Sequence, residues 1–183
     1  MKAFGRLPLT VALVGALLAL VLPAAGTAAR PSVVHADSLE RPLVRKINRL
    51  RASKGLRKLR LNGDLTSAAT RHARSMGRKG YFKHELFTPA RSTRWTPFGT
   101  WIRWYYGGYS WWIAGENLAW GAPSITPRQT IRAWMRSDGH RANLLKKDWR
   151  QIGAAAVNIS APTGHYGEHE TVTIIVAEFG ARG

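Results

Sequence analysis

Two strand-like segments near the C-terminus constrain the fold of this chain more than any other feature of its sequence. The segments IGAAAVNIS, residues 152–160, and TVTIIVAEFG, residues 171–180, have the apolar character of buried strands, and the second is apolar enough to be central in a sheet. A polar, glycine-containing stretch over residues 161–170 is predicted to join them as a hairpin loop. The preceding segments have helical periodicity and do not alternate with strands. The sequence therefore predicts a layered α+β domain.

Three segments before these strands have the periodicity of amphipathic helices. The first two carry their apolar positions at Leu39, Leu43, Ile47 and Leu50, and at Ala68, Ala69, Ala73 and Met76. The third begins with Thr126 as the N-cap, Pro127 at the first helical position and Gln129 completing a capping box. Gly139 is predicted to end this third helix and to turn the chain toward the polar cluster that follows.

The N-terminus has the features of a secretory signal peptide. Lys2 and Arg6 give a basic start, and an apolar core of about a dozen residues is followed by the small-residue stretch PAAGTAA. The apolar core is too short to span a bilayer comfortably. Cleavage is expected after Ala29 or, alternatively, after Ala36 in the sequence VVHA. An uncleaved N-terminal anchor is the other interpretation.

These features divide the chain into a signal peptide over residues 1–29, a short linker over residues 30–38 and one domain over residues 39–183. The mature chain is expected to contain no transmembrane segment and to be secreted, either to the extracellular space or to the cell envelope. It contains no cysteine, so an exported domain of this kind must be held together by packing, without disulfides.

The chain is strongly basic, with 28 Lys and Arg residues against 10 Asp and Glu residues and a net charge of +18. Removing residues 1–29 takes away two of the basic residues and leaves +16. Such a charge attracts polyanions, which include nucleic acid, anionic lipid and acidic wall polymers, but it does not choose among them. The basic stretch over residues 49–61 is one candidate surface, and a solvated helix face and linker is its alternative interpretation.

Aromatic residues crowd into residues 95–112, which include five tryptophans. Trp and Tyr side chains bury a large area and retain a polar tip, so this segment suits either a surface that binds sugars, lipids or bases, or the core of a loop-rich layer. Trp104, Tyr109 and Trp112 are the candidate residues for the rim of a ligand site.

Three short motifs contain the residues that could bind a metal or take part in catalysis: FKHE with His84, AGENLAWG with Glu116, and SDGHRANLL with His140. With these motifs, the sequence resembles a bacterial member of the CAP superfamily (cysteine-rich secretory, antigen 5 and pathogenesis-related-1 proteins, also called SCP-like extracellular proteins). The resemblance covers residues 43–179. It depends on the GENLA-type segment, the W-M-x-S-x-G-H-R-x-N-L-L segment and the closing strand that ends in EFG.

The resemblance implies an α-β-α sandwich with a cleft that contains two histidines and two acidic residues. By motif match, His84 and His140 are the histidines and Glu116 is the first acid. In several family members the histidines bind a divalent metal. The second acid normally follows the tryptophan of the third helix, but here Met135, Arg136 and Ser137 occupy that place and the acid is absent. Asp138 is the nearest acidic residue in the sequence.

The residue types agree with the resemblance and leave several functions open. Two imidazoles that face a carboxylate can bind zinc, with Glu116 as a third ligand or as the partner that orients a histidine. Alternatively, His84, Glu116 and His140 form a hydrogen-bonded network that closes the cleft. The leading hypothesis is a protein that binds a ligand, such as a lipid, glycan or anionic polymer, or a divalent metal. The alternatives are a metal-assisted hydrolase with Glu116 as general base and a basic adhesin for nucleic acid or wall polymer.

The remaining histidines have structural interpretations. HYGEH, residues 165–169, matches the H-x-x-E-H pattern of some metalloproteases, which requires a helix. Gly164 and Gly167 disfavour a helix there, so a solvated loop tip is predicted. His72 lies beside the small-residue face of the second helix and is interpreted as a partly buried structural histidine.

Overall fold

The computed structural model describes residues 31–88 and 95–183, so the predicted signal peptide lies outside the described residues. In chain order the elements are β1 (Ser32–His35), α1 (Asp37–Ser53), β2 (Arg60–Leu61), α2 (Gly63–Lys79), β3 (Leu86–Phe87), β4 (Trp95–Thr96), α3 (Phe98–Trp101), α4 (Arg103–Tyr106), β5 (Trp112–Gly121), α5 (Pro127–Arg136), α6 (Asp138–Leu145), β6 (Gln151–Ser160) and β7 (Thr171–Arg182). A short 3₁₀ turn, Gly164–Tyr166, lies between β6 and β7.

One five-stranded sheet forms the centre of the domain. Its main strand order is β1-β6-β7-β5, and β2 pairs with β6 at the start of that strand. All of these pairs are antiparallel except the parallel pair of β2 with β6. The predicted C-terminal hairpin is confirmed, since β6 and β7 pair over their length and β7 is central.

The two faces of the sheet bury alternate residues against different helices, as the two-residue period of a strand requires. On one face, Ile152, Ile175 and Phe179 pack with the apolar positions of α1 and with Trp134 of α5. On the other face, Val157 and Val176 pack with Ala69, Ala73 and Met76 of α2. The predicted α+β class is thus confirmed, with the sheet as the middle layer of an α-β-α sandwich.

Small residues in β6 bring α2 close to the sheet. A Cβ atom added to Gly153 would lie 2.1 Å from the backbone carbon of Leu65, near the start of α2. Asn62 caps this helix through a hydrogen bond from the Leu65 backbone N–H to its side chain (3.0 Å). The start of α2 is therefore fixed directly over the central strands, and the rest of the helix runs across the sheet.

The N-terminal part of the described chain contributes to the sheet. β1 occupies residues that the sequence assigns to a linker, and it pairs with β6 from Ser32 to His35. The backbone N–H of Ala36, which is buried, also donates to the Ala156 carbonyl (2.9 Å). Cleavage after Ala36 would remove this edge strand, whereas cleavage after Ala29 would keep it. Among the helices of the described ranges, none is both long and apolar enough to cross a membrane.

Candidate functional site

The three residues of the GEN motif, Gly115, Glu116 and Asn117, follow each other on β5 and make different contacts. Gly115 permits close packing, because an added Cβ would lie 2.6 Å from the Asn143 side-chain oxygen. Glu116 faces α2, and Asn117 faces α6, where its side-chain amide donates to the His140 carbonyl (3.0 Å). The Asn143 amide in turn donates to the carbonyl of Glu116 (3.1 Å) and to the Asn117 side chain (3.0 Å). The motif thus joins β5 to both flanking layers.

The Glu116 carboxylate accepts hydrogen bonds from two histidines. Its Oε2 lies 2.5 Å from Nδ1 of His72, which is fully buried, and its Oε1 lies 2.7 Å from Nδ1 of His84, whose side chain is 54% exposed. Burial would raise the pKa of Glu116, but the charge of His72 and the hydrogen bonds from both histidines outweigh burial and lower it. The hydrogen bond to Glu116 raises the pKa of His84. Glu116 is therefore a buried carboxylate that orients both rings.

A second buried acid, Glu178 on β7, lies beside this group. Glu178 pairs in register with Glu116 on β5, so both side chains are on the α2 face of the sheet. Ligand-type atoms of His72, Glu116 and Glu178 lie within 4.8 Å of one another. Within the described part of the chain, Glu116 is the one group that interacts with the carboxyl group of Glu178 by a shared proton, and no other group bonds to its oxygens. Burial, and then the charge of Glu116, raise the pKa of Glu178 well above its ordinary value.

His140 reaches the site from a helix where the sequence predicts a turn. α5 ends at Arg136, Ser137 adopts an extended conformation, and Asp138 begins the new helix α6. The prediction that Gly139 stops the helix is therefore wrong, because the break occurs at Ser137 and Gly139 is the second residue of α6. Nδ1 of His140 lies 2.9 Å from Oγ of Ser137. Burial, and then the charge of His84, lower the pKa of His140.

The two apolar residues after His140 anchor α6, as the sequence predicts. Leu144 is fully buried in the core on the α1 side of the sheet, and Leu145 packs against the same core. Arg141 donates to the Met135 carbonyl (3.2 Å) and to the Asp138 carboxylate (2.7 Å). The polar cluster thus connects α5 with α6 and holds His140 at the surface of the domain.

A cleft of about 670 Å³ brings the three predicted site residues together. Its lining includes His84, Glu116, Asn117, Ser137, His140 and Asn143. His84, which is exposed, and His140, which is half-buried, each have a partner at Nδ1, and in residues 31–88 and 95–183 no protein group forms a hydrogen bond to the Nε2 atom of either. Each ring therefore has a nitrogen available for a ligand.

Asp138 and the predicted aromatic rim lie elsewhere. The Asp138 side chain is 91% exposed, pairs with Arg141 and does not line the cleft, so it does not take the place of the absent second acid. Trp104, Tyr109 and Trp112 are not among the residues that line the cleft either. Trp104 and Tyr109 are exposed, and Trp112 packs against the buried group of Trp101 and Tyr106. The aromatic segment thus supplies both core and surface.

Two members of the site, Glu178 and the fully buried His72, are not identified as site residues from the sequence. His72 could have been identified from its position among the small apolar residues of α2, because an imidazole buried there needs a polar partner. Glu178 is an acid within an otherwise apolar strand, which is a similar signal. His165, from the HYGEH pattern, lies in the loop between β6 and β7, where it stacks on Phe82 and contacts Trp120 of β5.

Groups of three or more metal-ligand side chains occur at two places in the described ranges. One consists of His72, Glu116 and Glu178, and the other of His35, Asp37 and Glu40 near the start of α1. His84 and His140 belong to neither group, so a metal at the cleft would be held by these two imidazoles with open positions around it.

The sequence matches a known family over most of the described domain. The model of the cysteine-rich secretory protein family (CAP) matches residues 44–176. The uncharacterized protein YkwD of Bacillus subtilis (strain 168) is 34% identical over 131 residues, which is 72% of this chain and 46% of YkwD. The chain thus spans a little under half the length of that relative.

Solved structures share the fold. An outer surface protein from Borrelia burgdorferi superposes with a TM-score of 0.65 at 23% identity, over 83% of this chain and 98% of the other. An extracellular protein containing a SCP domain from Bacillus anthracis str. Ames gives a TM-score of 0.58 at 21% identity, over 78% of this chain and 40% of the other. These similarities confirm the CAP-type α-β-α sandwich.

Proposed function

The chain belongs to the cysteine-rich secretory protein (CAP) family, and we propose that it is a secreted protein that binds a divalent metal, with zinc favoured, and through it a ligand in the cleft. Nε2 of His84 and Nε2 of His140 are the proposed metal ligands. The basic, apolar start of the sequence and the similarity to an extracellular SCP-domain protein support secretion.

The proposal is carried by the way the two imidazoles are held. A metal-binding histidine typically uses one ring nitrogen for the metal and the other for a hydrogen bond that fixes its orientation. Here Nδ1 of His84 is bonded to Glu116, and Nδ1 of His140 is bonded to Ser137. Trp101 also fixes the loop that carries His84, by donating from its indole nitrogen to the His84 carbonyl (3.0 Å). The residues present therefore fit an imidazole-bound metal.

The chemistry expected at this site is ligand binding. A zinc ion bound by two protein ligands supplies a Lewis acid with open coordination positions. Glu116 is poorly placed to act as the general base of a hydrolase, because both of its oxygens already accept hydrogen bonds from histidines and its side chain is 1% exposed. We therefore assign Glu116 the role of a residue that positions His84.

Zinc titration by calorimetry tests the proposal. The wild-type protein should bind one zinc ion per chain, and His84→Ala/His140→Ala should abolish binding. A matched control, His165→Ala/His169→Ala, removes two histidines from the loop between β6 and β7 and should bind zinc as the wild type does. Zinc binding that survives in His84→Ala/His140→Ala, or that is absent from the wild type, would show that the cleft is not the metal site.

A third variant tests the role of Glu116. Glu116→Gln keeps the shape of the side chain but removes the charge that orients His84. Loss of such an orienting partner typically weakens metal affinity by about 10- to 100-fold. Circular dichroism of each variant shows whether the fold is retained. Unchanged zinc affinity in a folded Glu116→Gln protein would contradict the positioning role.

A further inference from the structure

The outward face of α2 forms a second groove, which shares no lining residue with the cleft. Its volume is about 460 Å³, and four cationic side chains line it: Arg71, Arg74, Arg78 and Lys79. Arg71, Arg74 and Arg78 follow each other at helical spacing and form a row, Lys79 adjoins the last of them, and the four span about 12 Å of the helix. The opposite face of α2 carries His72 and packs on the sheet.

Among the described residues, no acidic side chain lines this groove. In the part of the chain that the structure describes, none of the four cations takes part in a salt bridge with a carboxylate. Like charges at this spacing on a helix repel each other, so the row is unfavourable in the isolated protein. A bound anion with several negative charges would relieve this repulsion.

The uncharged residues of the groove indicate the chemistry of that anion. Hydroxyl groups of Ser67, Thr70 and Ser75 also line the groove and can bind phosphate oxygens or the hydroxyl groups of a polyol, and the Ser75 oxygen accepts from the Tyr81 hydroxyl (2.8 Å). Of the described residues, Phe87 supplies the one aromatic ring in the lining, and Nζ of Lys79 lies over it, 5.6 Å from the ring centre. Single-stranded nucleic acid is usually bound by open aromatic faces on which bases stack, and the groove offers none that is uncovered.

We propose that the groove along α2 binds an anionic polymer of the polyol-phosphate type, with successive phosphodiester groups on Arg71, Arg74, Arg78 and Lys79. A groove accommodates a flexible chain, and a row of cations with hydroxyl groups in the same lining binds phosphodiesters without recognising bases. The interaction is independent of the cleft, so it places a secreted CAP domain on an anionic matrix while His84 and His140 stay available.

Fluorescence anisotropy with a labelled poly(glycerol phosphate) oligomer tests this proposal. If four phosphates are neutralised, affinity should fall about 50-fold between 50 and 200 mM salt, at a slope of roughly 0.7 per contact. Arg74→Gln/Arg78→Gln leaves two contacts and should bind more weakly, with a loss of about 7-fold over the same range. The matched control, Arg45→Gln/Arg49→Gln, removes two exposed arginines at the same spacing from α1 and should behave as the wild type does.

The controls separate a specific groove from the effect of net charge. An equal loss of affinity in the two double variants, one in α2 and one in α1, would show that the total charge of the protein binds the polymer and would overturn the proposal. Tighter groove-dependent binding of single-stranded DNA of the same length would overturn the choice of polymer. The variant His84→Ala/His140→Ala should bind the oligomer normally, so failure of the metal site and failure of the groove are distinguishable.

Discussion

Replacing Glu178 with glutamine should stabilise the protein, and increasingly so as the pH rises. Glu178 is fully buried, and in the described ranges no group other than Glu116 bonds to its carboxyl oxygens. Its neighbour Glu116 is held in the ionised form by His72 and His84. Glutamine has the same shape, stays neutral at every pH and has an amide that can donate to the Glu116 carboxylate.

The magnitude follows from proton linkage. The pKa of Glu178 is raised well above its ordinary value of 4.5. Above pH 4.5 the unfolded chain has lost this proton, whereas the folded protein retains it up to the higher pKa. Unfolding then releases a proton, so the contribution of Glu178 to the free energy of unfolding falls by about 1.4 kcal/mol per pH unit. Glu178→Gln removes this fall, and its stability advantage should grow by that amount per unit.

Urea unfolding of both proteins between pH 5 and 8 measures the difference. Titrating groups that lie away from Glu178 are unchanged in the variant, so their contributions cancel. The variant Glu168→Gln, which removes an exposed carboxyl from the loop between β6 and β7, reports the effect of losing a charge at the surface. A stability difference between wild type and Glu178→Gln that does not change from pH 5 to 8 would refute the assignment of Glu178 as a buried, protonated acid.

Two further substitutions test the packing that positions the site. Gly153→Ala should lower the free energy of unfolding by about 3 kcal/mol or more, because its Cβ would lie 2.1 Å from the backbone of α2. Gly99→Ala is the control: the space around Gly99 is open, so urea unfolding should show little change. In Arg51→Met, the loss of the buried guanidinium, which donates to the Leu144, Lys146 and Arg57 carbonyls, should reduce the free energy of unfolding by about 3 kcal/mol and lower the melting temperature. An unchanged melting temperature would show that these hydrogen bonds add nothing to stability.

Local signals in the sequence predicted the elements that depend on neighbouring residues. The capping box of Thr126 and Gln129 is formed as predicted, because its hydrogen bonds join residues only three positions apart. The prediction for Gly139 failed although glycine is the usual residue after a helix. Ser137 breaks the helix by adopting an extended conformation, and its Oγ then bonds to His140, a contact that composition does not reveal.

Long-range pairing determined what the sequence could not predict about the site. The family motifs identified His84, Glu116 and His140, and all three line one cleft. Glu178 joins them because the register of β5 with β7 places it opposite Glu116. A shift of one residue in that register would turn its side chain to the other face of the sheet. His72 was recognised as a packed residue, but its bond to Glu116 depends on where α2 crosses the sheet.

The most direct test of the proposed metal site is to observe the ring nitrogens of the histidines by ¹⁵N NMR during zinc titration. We expect the Nε2 signals of His84 and His140 to shift with one equivalent of zinc, while their Nδ1 atoms keep their hydrogen bonds to Glu116 and Ser137. A zinc-dependent shift that is larger at Nδ1 than at Nε2 of these rings, or shifts confined to the other histidines, would contradict the proposed site.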